Sequence, residues 1–336
     1  MTELSSAEAT PFDSLAQISC AYWLSRCLHV IAELGVADAL DDVPQAVSAL
    51  AEATNCHAGA LGRVLRLLSS HGIFRSCAGG YCHTAASLAL RSDHPRSMRS
   101  FVRMCGLQIL WESYGTLEFS LRTGAPSSEK VIPGGLWSYL ATNPESSRIF
   151  NEGMASKSQR QIAGVLGSYT FTGLGTVGDI GGGRGHLLQA ILAAEPKVSG
   201  VLFDLPHVIE KAVNIASDRL RLHSGNFFTD PLPVCDAYLM MDVINTWSDE
   251  DALEILRNLR RAAPPHARLL LIEAVISEDS APSWSKLLDI QMLTMLTGRQ
   301  RTIHEHSHLL GQAGLRLVRE IAAGGGRFSI LEAVPN

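Results

Sequence analysis

The stretch Thr176-Val-Gly-Asp-Ile-Gly-Gly-Gly-Arg-Gly-His186 is an apolar, β-branched run that breaks into glycines and then opens a helical pattern. A turn of this kind lets main-chain N–H groups approach a ligand at the start of a helix. The spacing decides which ligand. A dinucleotide fingerprint needs G-x-G-x-x-G, and here the residue three after Gly183 is His186, so that pattern fails. What remains, Asp179-x-Gly181-x-Gly183-x-Gly185, reads as a nucleoside-binding loop. Asp204 ends the next apolar run, Val201-Leu-Phe203, about twenty residues on, where a carboxylate accepts both hydroxyls of a ribose. The competing reading makes Asp204 a mere cap for the helix that begins at Leu205-Pro206.

The elements that must position these residues belong to a chain of 336 residues, 46% of them hydrophobic, which is enough for two domains and a sizeable core. A net charge of −5 without any Lys/Arg cluster gives no footprint for nucleic acid or for an anionic membrane. The seven cysteines lie scattered, without metal-ligand spacing, and read as core thiols of a reducing compartment. No basic leader and no apolar run long enough to span a bilayer is visible, so a cytoplasmic protein is expected.

From Ser14 to Leu40 the apolar residues recur at helical spacing, giving one or two amphipathic helices. Residues 45–74 read as two shorter helices, the second over Ala60–His71, and Ile73-Phe-Arg75 with Tyr81-Cys-His-Thr84 flank the turn Gly79-Gly80. Helix, helix and hairpin make a winged-helix pattern. A DNA-reading helix would need basic and amide side chains, and this one offers only Arg63 and Arg66; burial against a second subunit is the better reading. The expected organisation is a dimerisation domain over 1–95, a helical bridge over 96–165 that contributes to a substrate pocket, and an α/β domain over 166–336. In the last, strands at Val177–Ile180, Gly200–Phe203, Arg219–His223, Ala237–Asp242 and Arg268–Ala274 alternate with helices, which implies a parallel, doubly wound, Rossmann-like sheet.

Asp179-Ile-Gly-Gly-Gly-Arg-Gly185, Phe203-Asp-Leu-Pro-His-Val208, Gly225-Asn-Phe-Phe228, Trp247-Ser-Asp-Glu250 and Gly298-Arg-Gln-Arg-Thr302 occur in the order seen in S-adenosylmethionine-dependent small-molecule O-methyltransferases. The chain resembles the caffeate, flavonoid, acetylserotonin and bacterial polyketide enzymes of that family, and the likeness extends through Leu34–Leu40, Arg63–Leu68 and Phe150–Met154. The resemblance implies a homodimer, S-adenosylmethionine as methyl donor and S-adenosylhomocysteine as product. It also implies that Gly181, Gly183 and Gly185 let the backbone approach the methionine portion, that Ser158 touches its amino-acid end, that Asp204 holds the ribose, and that Asn226, Phe227 and Trp247 surround the adenine, with Asp179, Leu205 and Met241 as further cofactor-binding residues. Met104, Trp111, Phe150, Met154, Asp289 and Met292 are candidates for the pocket of a hydrophobic, hydroxylated acceptor. The family's usual aspartate is Asn226 here, whose amide oxygen still accepts from the adenine amino group.

Two departures bear on mechanism. In the plant-type enzymes a histidine two residues before the tryptophan deprotonates the acceptor; here that position is Asn245. Gln300 replaces a glutamate that orients the histidine, while Glu273 matches the other orienting glutamate. An amide hydrogen-bonds a hydroxyl but takes no proton at neutral pH. One reading is methyl transfer by alignment alone, with Asn245, Glu273 and Gln300 around the acceptor. The alternative keeps the cofactor for its fixed positive charge and runs a hydroxylation, dehydration or pericyclic reaction.

His304 and His308 lie at zinc-pair spacing, yet no third ligand is evident; the run His304–His308 reads as the solvated face of a helix capped by Thr302, and no metal is expected. His186 and His223 are expected at the surface.

Overall fold

The computed structural model describes residues 10–336, and the chain forms two compact units. One takes the described residues through Trp111 together with Leu140–Lys157; the other takes Glu112–Tyr139 and Ser158–Asn336. Segment 96–165, expected as one bridge, is thus divided between them.

In the first unit Thr10 caps the helix Pro11–Glu33: its hydroxyl accepts the Asp13 N–H while the Asp13 carboxylate accepts the Thr10 N–H. Helices Val47–Ala53 and Ala58–Ser70 follow, then the hairpin of β1 (Phe74–Cys77) and β2 (Gly80–His83), in the order read from the sequence. Leu61, Leu65 and Leu68 recur at the spacing that puts them on one side of their helix, where they pack with Ile31, Leu40, Leu50 and Phe74. The cysteines are not uniformly core thiols. Cys77 and Cys82 form a disulfide across the hairpin, and of the free thiols only Cys235 is buried. An odd, scattered count hid a pair that a tight turn brings together.

The second unit holds β3 (Thr176–Ile180), β4 (Ser199–Asp204), β5 (Leu220–Ser224), β6 (Ala237–Met241), β7 (Arg268–Glu273), the short β8 (Val275–Ile276) and β9 (Arg301–Thr302), then β10 (Leu315–Ala323) and β11 (Phe328–Pro335). Seven strands form one sheet in the order β10-β11-β7-β6-β3-β4-β5. The sequence implied a parallel sheet; the structure is mixed, because β11 runs antiparallel to both β7 and β10. The turn that makes this edge hairpin possible is Gly324-Gly-Gly326, a strong local signal that the alternation of strands and helices outweighed.

Buried on both sides, the central strands are continuous apolar runs whose residues alternate between layers. Val201, Phe203, Tyr238, Met240, Leu269 and Leu271 pack with helices Asp249–Ala262 and Ile303–Gln312. Leu202, Leu239, Leu270 and Ile272 pack on the opposite face with helix His186–Ala194 and with Ile162 and Val165 of helix Pro144–Ser168. From β3 the chain builds β4 and β5 to one side and β6 and β7 to the other. That reversal opens a crevice beyond the carboxyl ends of β3 and β6, where open α/β sheets bind ligands.

Gly185 begins the helix His186–Ala194 at φ 71°, and a Cβ there would lie 2.7 Å from Ile215 Cδ1 and 3.1 Å from Leu202 Cδ2. Gly185→Ala is expected to lower stability by about 2–4 kcal/mol, from left-handed strain and overpacking together. Urea unfolding of the ligand-free protein checks this; a loss below about 1 kcal/mol would mean that the turn relaxes without strain.

Candidate active site

The glycine loop leaves β3 at the crevice. Gly181 donates to Phe203 O at 2.8 Å, which ties the loop to β4. Gly181, Gly183 and Gly185 all adopt positive φ, near 70°, 60° and 71°. Their surroundings differ. A Cβ on Gly183 would meet nothing within 4 Å, whereas one on Gly181 would face Val243 and Phe227. Gly185 is buried against Ile215 and Leu202, so it packs helix on strand and does not border an open space. Gly182, without an assigned role in the motif, lets the chain pass Asp179: a Cβ there would stand 2.4 Å from the Asp179 Cγ.

Asp204 anchors this loop. Gly183 N–H donates to one carboxylate oxygen at 2.8 Å and Leu205 N–H to the other at 2.7 Å. It is therefore no helix cap; Leu205 begins helix Pro206–Ile209 without side-chain capping. Each Asp204 oxygen keeps a further lone pair for a ligand hydroxyl. Asp179 is buried, and one of its oxygens has no partner among the described residues. Burial, with the neighbouring Asp204 charge, pushes its carboxyl up to about 7.

Beside the loop stands an aromatic cluster. Trp247 meets Phe227 at 6.0 Å and Phe228 at 4.8 Å, both edge to face. Asn226 forms the turn before them: its Oδ1 accepts the Phe228 N–H at 3.0 Å, and Asp230 accepts the Asn226 N–H. Asn258, missed in the sequence, donates to both Phe227 O and Asp230 O at 2.8 Å and fixes this loop from behind. Met241, the last residue of β6, and Ser158, on helix Pro144–Ser168, are half-buried, and Leu205 is exposed.

After β6 the chain turns sharply at Asp242, a non-glycine residue with φ 54°, and enters a short 3-10 turn over Ile244–Thr246. Backbone strain of this kind gathers at functional positions. Glu273, at the end of β7, accepts the Asn245 N–H on Oε1 at 2.9 Å. It is wholly buried, and burial pushes its carboxyl up to about 7 despite the Asn245 amide and the Arg301 charge. Its Oε2 has no hydrogen-bond partner among the described residues and lies 3.7 Å from His306 Nε2.

That neighbour corrects the reading of the histidine run. His304 and His308 are exposed and Thr302 caps the helix, as the sequence implied, but His306 is fully buried. Three and four residues before Leu309 and Leu310, it shares their inward face. Burial lowers its pKa to about 4. Among the described residues no group of three or more His, Cys, Asp or Glu is placed to hold a metal.

Arg301, also missed, closes the site. It is 1% exposed, ion-paired to Asp249 at 2.7 Å, and donates to Ile244 O at 3.2 Å and to Trp247 O at 3.1 Å. Pairing of β9 with β8 brings this segment next to Glu273. Gly298 permits the close approach: a Cβ there would be 2.1 Å from Asn245 O. The Gln300 N–H donates to Asp289 Oδ1 at 2.9 Å. The Asn245 Oδ1 and both amide atoms of Gln300 are buried without partners among the described residues. Each such group left unsatisfied costs about 1–3 kcal/mol.

The pocket candidates divide between the units. Met292, buried, and Asp289, half-buried, lie on helix Trp284–Met295. In the other unit Met104 packs where a Cβ on Gly153 would be, beside Phe150 and Met154. Trp111 there meets the His29 ring edge-on at 5.8 Å, beneath the Arg26 guanidinium. His186 and His223 are exposed.

Two outcomes are expected. Arg301→Met removes the side-chain donor from the Trp247 carbonyl, leaves the Ile244 carbonyl with the Trp247 N–H alone and strands Asp249 without its partner; it should cost about 2–5 kcal/mol with a parallel loss of cofactor affinity, measured by unfolding and by calorimetry, and unchanged stability would refute the clamp. Glu273 ionises in the unfolded chain near the ordinary glutamate value of 4.5 but in the folded protein only near 7. Its contribution to stability is therefore fully present below pH 4.5 and is lost as pH rises to 7. Glu273→Gln should flatten that part of the stability-versus-pH curve, by an amount on the order of 3 kcal/mol.

Comparison with known proteins fixes the family. An O-methyltransferase domain matches residues 114–316, and an O-methyltransferase dimerisation domain matches residues 16–93. The chain is 36% identical to the phenazine O-methyltransferase of Lysobacter antibioticus, over 100% of both chains. It is 33% identical to the mitomycin biosynthesis 6-O-methyltransferase of Streptomyces lavendulae, over 97% of this chain and 95% of that one. The crystal structure of a methyltransferase of calicheamicin biosynthesis, with S-adenosylhomocysteine bound, superposes with a TM-score of 0.89 at 33% identity, covering 96% of this chain and 97% of the other. With the glycine loop, the acidic residue ending β4 and the aromatic cluster all at one crevice, the chain belongs to the S-adenosylmethionine-dependent O-methyltransferases.

Proposed function

We propose that the protein methylates a hydroxyl of an aromatic or polyketide secondary metabolite, and does so without a general base on the loop after β6. The observation that carries this reading is the set of buried, unpartnered amide atoms on Asn245 and Gln300, positioned to bind an acceptor and unable to take its proton. S-adenosylmethionine supplies an electrophilic methyl on a sulfonium. The residues present fit it: Gly183 offers open backbone, Asp204 keeps lone pairs for the ribose hydroxyls, and Phe227 and Trp247 offer apolar surface for the adenine. Asn226 Oδ1, already accepting one main-chain N–H, keeps a lone pair for the adenine amino group.

Asn245 orients the acceptor oxygen; the new O–C bond forms as the S–C bond breaks, and the hydroxyl proton passes to water. General-base catalysis contributes roughly 10²–10⁴-fold, and alignment of the reacting atoms about 7–11 kcal/mol, so alignment carries the larger share. An acidic acceptor, such as a phenol conjugated to a carbonyl, suits this device because it is partly ionised unaided. One relative named for phenazine and another named for mitomycin biosynthesis support a polycyclic acceptor.

A homodimer through the winged-helix-like module is supported by the dimerisation-domain match and by Phe12, Leu15, Ile18, Tyr22 and Trp23, all exposed on helix Pro11–Glu33. No helix among the described residues is long and apolar enough to cross a membrane, and five cysteines remain free thiols, in keeping with a cytoplasmic enzyme. The replacement of both base and orienting glutamate by neutral amides also favours a second reading, in which the sulfonium acts as a fixed charge in a hydroxylation, dehydration or pericyclic reaction.

Methyl-labelled S-adenosylmethionine, incubated with the protein and a panel of phenolic and polyketide acceptors, separates the two. Label in product with equimolar S-adenosylhomocysteine is expected; acceptor consumed at constant cofactor would establish the second reading. Asn245→Ala should lower kcat by about 10- to 100-fold, and a loss beyond roughly a thousandfold would contradict the alignment mechanism.

A further inference from the structure

His306 has no part in the reaction above, yet it is wholly buried, directly behind the residue that holds the Asn245 loop. Its Nε2 lies 3.7 Å from Glu273 Oε2, and neither atom has a hydrogen-bond partner among the described residues. Two buried polar atoms facing each other, both otherwise unsatisfied, form a hydrogen bond after a shift of a few tenths of an ångström, and such contacts commonly tighten when ligand binds. We propose that His306 is a positioning residue: its neutral imidazole accepts a hydrogen bond from protonated Glu273 Oε2, and this fixes the carboxyl so that Oε1 holds the main-chain N–H of Asn245.

The surroundings favour this neutral pair over an ion pair. Separate burial of a carboxylate and an imidazolium costs several kcal/mol each. Burial pushes the carboxyl up and the imidazole down, which leaves the proton on Glu273. Glu273 also faces the Ile244 and Asn245 amides, the Arg301 guanidinium and the Asp242 carboxylate. His306 feels the same guanidinium, which disfavours its charged form, and the Glu305 and Asp249 carboxylates, which favour it. Arg301 opposes an imidazolium but is itself committed to Asp249 and to the Ile244 and Trp247 carbonyls. The pair thus keeps net charge out of the floor of the site while preserving an acceptor for the Asn245 amide.

The pair can be read without substrate or cofactor. Infrared titration of the full-length protein should show a protonated-carboxyl band that persists above the normal carboxylate range and disappears in Glu273→Gln, which separates it from the other raised carboxyls, Asp179 and Asp204. In His306→Phe the acceptor is gone, and the midpoint of that band should fall by roughly one pH unit, the size of one lost hydrogen bond; His306→Gln, which retains an acceptor, should restore it. Nitrogen-labelled histidine NMR should report neutral His306 at pH 7. An unmoved midpoint in His306→Phe, or an imidazolium signal at pH 7, would overturn the proposal. Should His306→Phe fail to fold, His306→Gln and the NMR of the unaltered protein still decide it.

The inference rests on the methyl-transfer reading only for its kinetic arm. There, His306→Phe should lower kcat roughly five- to tenfold with KM nearly unchanged, as the loss of one positioning hydrogen bond implies. If the band behaves as stated and no acceptor is methylated, the reaction assignment fails and the pairing stands. If methylation occurs and the band is indifferent to His306, the reverse holds.

Discussion

The loop that carries Asn245 keeps its shape because a single buried guanidinium joins its two ends. Arg301 donates to Ile244 O and Trp247 O and is neutralised by Asp249, whose own carboxylate is more than half exposed. Those carbonyls flank Asn245 on one side and belong to the aromatic cluster on the other. The buried amide of Asn245 and the ring of Trp247 are therefore set by one side chain. The fork of an arginine serves this purpose where lysine, a point charge on a flexible stem, would not. Gly298 is the steric half of the same constraint, since any side chain there would collide with the main chain of Asn245.

Around that clamp the site is built to be electrically quiet. Asn245 and Gln300 are neutral by chemistry, and Asp179 and Glu273 tend to neutrality by burial. A carboxylate left ionised beside a sulfonium would stabilise the reactant, whose charge is lost on methyl transfer, more than the transition state. Glu273 also has a structural task independent of any histidine. It bonds the backbone of position 245, not its side chain, which explains how the carboxyl remains useful where the residue it would orient in related enzymes is absent.

Much of this was legible in the sequence, for identifiable reasons. The five parallel strands were each found within a residue or two; in β3, β4, β6 and β7 burial on both faces makes continuous apolar runs between polar turns, whereas β5 is a mostly exposed edge strand. The glycine loop and Asp204 were found because close backbone approach and ribose binding leave residue-specific marks. The edge hairpin Leu315–Pro335 was missed because Arg316, Arg319 and Glu320 interrupt its apolar pattern. Arg301 and Gly182 stood inside quoted motifs without a role, and Asn258 outside them, because a donor to main-chain carbonyls and a glycine that clears a neighbouring side chain leave no mark on residue spacing. His306 was misread since a run of three histidines looks solvated until the helix period is followed on to Leu309 and Leu310. The Cys77–Cys82 bond was lost in a count that treated all cysteines alike.

These features together bear on how an enzyme of this family operates without the usual histidine. A base contributes most when the acceptor is weakly acidic; its value shrinks as the acceptor pKa approaches the ambient pH, because the proton is then already leaving. Alignment has no such dependence. A site that invests in a rigid loop, clamped by Arg301 and held at the backbone of Asn245 by Glu273, retains the larger contribution whatever the acceptor's acidity. It also gives up a titratable group in direct contact with substrate, so its own residues impose no ionisation at the reacting oxygen. On the proposed reading, specificity then depends on the acceptor's acidity as well as on its fit, and a phenol that ionises poorly reacts more slowly by up to the roughly 10²–10⁴-fold that a base would have contributed.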